Sequence, residues 1–215
     1  PTSYMVSLMN DQGMILKLDH DRLPNLAHVD PEFLELALDP KMDHSAPYMV
    51  VNTVIAYLRS RVDDFEPSWS MFDRSDLRGR MTMLNDMRET IGAGLKFLGC
   101  SINSTDAGEL ARAKEVVLRW KKNIAKYENE QYKTGLASGE FLLVQGYSGD
   151  ILQVQRENPD VAFGVPREGT VISVDDLVIP RGAPRPDLAH AFINYLHDPA
   201  VAAENTTFLR YLCPN

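Results

Sequence analysis

Residues 163–180, FGVPREGTVISVDDLVIP, constrain the fold more than any other stretch. An apolar run leads into a charged Pro-Arg-Glu-Gly segment, and the chain returns to a second apolar run at Leu177-Val178-Ile179. Gly and Pro between two apolar runs redirect the chain, so two strands joined by a turn at 166–169 are expected. Asp175 and Asp176 stand just before the second run. A carboxylate beside a strand destined for burial is costly unless it meets water, a cavity or a partner. Two readings stay open: both acids face water at a strand end, or they face a binding cavity.

The rest of the chain alternates in the same manner. Met5, Leu8 and Met9 at i, i+3, i+4, with Gly13 as a stop, predict a helix over 5–13. Asp30 followed by Pro31 starts a short helix to 37. Residues 48–57, YMVVNTVIAY, are strand-like, as are 81–84, 141–144 and 161–165. A helix over 87–98 ends at Gly99. Thr105 or Asp106 caps the next, whose Leu110, Ala113, Val117, Trp120 and Ile124 form one inner stripe. Residues 131–138 form a short helix or turn, 146–150 a turn, and a helix follows from Ile151. A helix over 188–196 turns Ala191, Phe192 and Tyr195 inward, and Asp198-Pro199 begins another. This alternation predicts an α/β fold with largely parallel strand pairing. Asp86, Tyr147 with Asp150, and Tyr4 fall just after predicted strands, where open α/β sheets gather ligands.

Composition narrows the function classes. The formal net charge of −8 argues against a nucleic-acid partner, which needs a basic surface, and mildly favours a cationic ligand. Cys100 and Cys213 fit no metal spacing, and whether they pair is left open. No apolar run approaches the roughly 20 residues that span a bilayer. There is no P-loop, no G-x-S-x-G and no H-E-x-x-H, so no enzyme and no cofactor is expected. Gly92-Ala-Gly94 lies inside a helix and reads as packing. The five histidines, His20, His28, His44, His190 and His197, read as solvent-facing.

Several short segments carry a resemblance when taken in order. They are Leu23-Pro-Asn-Leu26, Ala46-Pro47-Tyr48, the run from Gly79 through Asn85-Asp86 to Glu89, Asn103-Ser-Thr-Asp106, Gly146-Tyr-Ser-Gly-Asp150, Pro166-Arg-Glu-Gly169 with Asp175, Asp198-Pro199, and Tyr211 with Pro214-Asn215. Together they resemble the spermidine/putrescine-binding proteins, the periplasmic receptors of polyamine ABC transporters. The resemblance implies a two-lobe, type II-like periplasmic binding-protein fold that is incomplete in this chain. Lobe I would hold residues 1–53 and 172–215, and lobe II residues 54–171. The family's first strand and helix and its closing C-terminal segment would lie outside this sequence. The implied partners are a polyamine and a membrane permease, and the implied location is extracytoplasmic, with a lipid anchor one option for the full-length protein.

A polyamine is a methylene chain with ammonium groups, so its receptor needs carboxylates for the charges and aromatic faces for cations and methylenes. By resemblance, Thr2, Tyr4, Asp86, Glu89, Tyr147, Asp150, Asp175 and Tyr211 contact the ligand, and Tyr48 is structural. Asp86 with Glu89 is also the Asp-x-x-Glu pattern of a helix N-terminus, and Asp150 also reads as a helix cap. The family commonly has Trp where Tyr147 stands and an aromatic where Ser173 stands. An acid at Asp150 is the putrescine-type feature. Two other readings remain: a receptor-like sensing module that does not transport, and a small α/β enzyme acting on an amine or a sugar.

Overall fold

Local chemistry decides where most helices start. Asp30, Asp86, Asp106 and Asp198 each accept hydrogen bonds from backbone N–H groups one turn on, capping α2 (Pro31–Leu36), α3 (Met87–Phe97), α4 (Ala107–Lys121) and α8 (Pro199–Leu209). A carboxylate there satisfies donors that have no partner within the helix and suits the helix dipole. The architecture comes from a computed structural model that describes residues 1–215, the side chain of Leu36 excepted. Its other helices are α1 (Ser3–Asp11), α5 (Gln131–Ser138), α6 (Ser148–Glu157) and α7 (Pro186–Leu196).

The strands are β1 (Ala46–Leu58), β2 (Met81–Met83), β3 (Ile124–Tyr127), β4 (Leu143–Tyr147), β5 (Val161–Gly164) and β6 (Ile172–Leu177). The sheet order is β3-β2-β4-β1-β5, with β6 also paired to β1. Pairing is mixed rather than largely parallel: β2 runs parallel to β3 and β4, whereas β1 is antiparallel to β4 and β5. Antiparallel and parallel neighbours differ in their hydrogen-bond pattern, which apolar periodicity along one strand does not report.

The chain forms two compact units. One comprises Pro1–Val51 with Ser173–Asn215, the other Asn52–Ile172. The core of the second is built from Val54, Ile55 and Ala56 of β1, Met81 and Met83 of β2, and Leu143 and Val144 of β4, each at most 1% exposed. Near-continuous apolar runs of this kind suit strands covered on both faces. Trp69, Phe72, Trp120 and Tyr132 complete it. In α3, a Cβ on Gly94 would approach the backbone oxygen of Ala113 to 3.0 Å, so the glycine lets α3 and α4 pack closely. The first unit is centred on Leu18, Leu23, Leu26, Val29, Met42, Ala46, Ile179 and Ile193.

Several expectations are corrected. Residues 146–150 are not a turn: β4 runs through Gly146 to Tyr147 and passes directly into α6. Ile124 does not belong to the α4 stripe but opens β3, and Leu110 is 38% exposed. In α7 the inward residues are His190 and Ile193, while Phe192 and Tyr195 are exposed. His190 and His197 are buried. His190 faces the Pro186 carbonyl oxygen through Nδ1 at 2.7 Å and accepts from the Asp19 N–H through Nε2 at 3.0 Å. The second strand of the 163–180 stretch is displaced toward its N-terminal side, so that Asp175 and Asp176 lie within β6. The Pro166–Gly169 turn is present, closed by the Gly169 N–H on the Pro166 carbonyl at 2.9 Å.

Candidate functional site

In the second unit, β2 and β4 are parallel, so the segments that follow them emerge at the same end of the sheet. Asp86 follows β2 and caps α3, its Oδ1 accepting from the N–H groups of Arg88 at 2.8 Å and Glu89 at 3.1 Å. Glu89 occupies the first turn of that helix and is only 6% exposed. Its Oε2 accepts from the Thr53 hydroxyl at 2.6 Å. Burial pushes the Glu89 carboxyl up to about 7; the Thr53 hydrogen bond opposes this and the Asp86 charge adds to it. Thr53 in β1 is the register partner of Tyr147 in β4. Residues directly opposite in an antiparallel pair share a face, so Glu89, Thr53 and Tyr147 belong to one polar corner.

Gln145 supports that corner from below. Its side chain accepts from the Leu84 N–H and donates to the Glu89 carbonyl, both at 3.2 Å. Asp150 lies in the first turn of α6 and is not its cap. Its Oδ2 accepts from the Tyr132 hydroxyl at 2.5 Å and lies 3.5 Å from the Lys133 ammonium. The Tyr132 oxygen in turn accepts from the Tyr147 N–H at 3.3 Å. Thr53, Gln145 and Tyr132 were not singled out from sequence. The first two had a usable signal: each is a lone polar residue inside a buried apolar run, where an unpaired group is costly.

In the first unit, Thr2 and Asp175 form an isolated antiparallel bridge, and the Thr2 hydroxyl lies 3.4 Å from Asp175 Oδ1. Asp175 is exposed, whereas its neighbour Asp176 is buried and accepts from the Ser3 hydroxyl. Burial raises the Asp176 carboxyl to about 6, against the Ser3 hydrogen bond. Tyr4, in the first turn of α1, is 39% exposed. Tyr211 follows α8 and is half-buried; the adjacent Leu212 bridges to Val50. Thus Thr2, Tyr4, Asp175 and Tyr211 fall in one unit, and Asp86, Glu89, Tyr147 and Asp150 in the other.

Among the described residues no group of three or more His, Cys, Asp or Glu side chains could hold a metal ion, and no helix is long and apolar enough to cross a membrane. Cys100 and Cys213 are free thiols.

Residues 1–215 match the family described as bacterial extracellular solute-binding protein. The chain belongs to that family. This solute-binding protein is 32% identical to a putrescine/cadaverine-binding protein of Pseudomonas aeruginosa, an alignment covering 100% of the chain and 64% of the relative. It is 30% identical to the spermidine/putrescine-binding periplasmic protein of Salmonella typhimurium, covering 100% and 62%. Among solved structures, a lipoprotein of Treponema pallidum superposes with a TM-score of 0.91 at 34% identity, over 97% of this chain and 67% of that one. A spermidine/putrescine ABC transporter substrate-binding protein from Streptococcus pneumoniae gives 0.86 at 27% identity, over 100% and 67%. The solute-binding protein therefore has the two-lobe binding-protein fold in incomplete form, and spans a little under two thirds of the curated relatives' length.

Proposed function

We propose that this chain serves as an extracytoplasmic receptor that captures a polyamine, of putrescine or spermidine type, and delivers it to the permease of an ABC transporter. The unit of residues 1–51 and 173–215 is then the partial lobe I, and that of residues 52–172 is lobe II. The observation that carries this reading is Glu89: a buried carboxyl that accepts from the Thr53 hydroxyl and forms no salt bridge among the described residues, with Tyr147 the register partner of that threonine, in a chain whose relatives are named for polyamines. An entering ammonium supplies the missing charge, and Tyr147 offers a face to the methylenes. Asp86 stands one helical turn away, while in the first unit Asp175 is an exposed carboxylate with Thr2 beside it and Tyr4 and Tyr211 as aromatic contacts. In this reading the protein works outside the cytoplasmic membrane, and a lipid anchor on the full-length protein is compatible with the related Treponema lipoprotein.

Calorimetry of the full-length protein with putrescine, cadaverine and spermidine tests the proposal. Saturable binding of at least one amine, without turnover, is expected. No heat with any amine would favour a sensing module, a reading that Ser173 supports by removing an expected aromatic wall. Conversion of an amine to product would make the protein an enzyme.

A further inference from the structure

Glu89 is held at every polar group but one. Its N–H donates to Asp86 Oδ1 at 3.1 Å, its carbonyl accepts from the Gln145 side chain at 3.2 Å, and its Oε2 accepts from the Thr53 hydroxyl at 2.6 Å. Among the described residues nothing donates to Oε1. The Thr53 bond has the length of a hydroxyl donating to a charged carboxylate. Thr53 is 1% exposed, and its backbone is tied on both sides: its N–H donates to the Val171 carbonyl at 3.1 Å, and its carbonyl accepts from the Thr170 hydroxyl at 2.7 Å. Thr53 is the second residue of its unit and Val171 the last but one. The hydroxyl that meets Glu89 is thus anchored where the chain enters and leaves that unit.

The side chain at position 53 has a chemical logic. Lys or Arg there would neutralise Glu89 and cancel its attraction for an ammonium. Val would leave a buried carboxylate oxygen without a donor, which favours the neutral acid. Thr donates without adding charge. Burial raises the Glu89 pKa, the Thr53 bond opposes that rise, and the Asp86 charge adds to it.

We propose that Thr53 is a positioning residue for amine capture: it occupies Oε2 of Glu89 without neutralising the carboxylate and leaves Oε1 to receive the ammonium, while Thr170 fixes Thr53 in turn. This rests on the polyamine reading above and adds two hydroxyls that need not touch the ligand.

The test uses the full-length protein and whichever of putrescine, cadaverine and spermidine binds the wild type most tightly. Thr53→Val and Thr53→Ser, each alone and combined with Glu89→Gln, are titrated with that amine at pH 6 and pH 8.5. Thr53→Val should weaken binding about tenfold at pH 6 and less at pH 8.5, because a carboxyl deprived of its donor is harder to ionise. A packing defect alone would weaken it equally at both. Thr53→Ser keeps the hydroxyl and should stay within about threefold of wild type. In Glu89→Gln, Thr53→Val should cost no further affinity. Unchanged affinity in Thr53→Val, equal losses at the two pH values, no rescue by serine, or additive effects of the two positions would each overturn the proposal. If Thr53→Val does not fold, the double variant decides: folding restored by Glu89→Gln supports the proposal, and no restoration overturns it. Failure of the wild type to bind any amine would fall on the polyamine reading. Ligand-free melts would then still report on the pair: Thr53→Val should lose more stability at pH 8.5 than at pH 5, and Glu89→Gln should remove that difference, whereas equal losses would overturn the assignment.

Discussion

A carboxyl that is easier to protonate folded than unfolded makes stability fall as pH rises, and Glu89 is such a group. Its folded pKa, about 7, exceeds the ordinary value of 4.5. From about pH 4.5 to 7 the folded state therefore holds more protons, and the full penalty above pH 7 is about 3 kcal/mol. Glu89→Gln should remove most of this slope: denaturant melts of the variant and wild type should coincide near pH 4.5, with the variant more stable at pH 8. An ammonium favours the charged carboxylate, so amine binding near pH 6 should release a proton, read as a dependence of binding heat on buffer ionisation enthalpy. Affinity for the amine should fall at least tenfold in Glu89→Gln, since the ligand charge loses its partner. Asp176 behaves alike at its raised value of about 6, so Asp176→Asn should lessen the remaining loss of stability between about pH 4 and 6. The sequence drew notice to both acids, Glu89 by resemblance and Asp176 as a carboxylate beside an apolar run. Their states were not legible there, since the burial of Glu89 and its bond to Thr53 join positions 36 residues apart.

Elements were legible where their cause is local. The N-caps Asp30, Asp86, Asp106 and Asp198 all lie where short-range patterns place them, and Asp106→Ala should cost about 1 kcal/mol in an equilibrium melt. Where the cause is distant, local pattern misleads. β3 exists because β2 pairs alongside it, yet Ile124 happens to continue the periodicity of α4. Gly146 has the composition of a turn, but it lies in β4 opposite Val54, and it is a glycine there because a Cβ would come within 2.7 Å of the Tyr132 ring. Gly135 in α5 is a stronger case, with a Cβ only 2.3 Å from the Phe141 ring. Gly135→Ala should therefore destabilise the protein by roughly 1–3 kcal/mol despite alanine's better helix propensity, as a thermal melt would show. The Pro-Arg-Glu-Gly turn has its own structural cause. Glu168 accepts from the Ser68 hydroxyl at 2.5 Å, and the Trp69 indole donates to the Gly169 carbonyl at 2.9 Å.

At the scale of the molecule, the α/β character and the family were readable because many short segments stay in order, whereas strand direction was not, because no single segment encodes it. A ligand that binds only the folded protein should add about 2.7 kcal/mol of stability at one hundred times its dissociation constant, so saturating amine should raise the melting temperature. The acidic surface, at a net −8, should make amine capture faster at low ionic strength, measurable by stopped flow. The unit of residues 52–172 is one unbroken length of chain set into a unit made from two separate lengths. Its ends lie side by side, with the Thr53 N–H 3.1 Å from the Val171 carbonyl. On the ribosome, the inserted half can finish folding while Thr2 still awaits Asp175 and Val50 awaits Leu212. At ordinary translation speeds that wait lasts on the order of ten seconds, during which residues made before the inserted unit find their places after it.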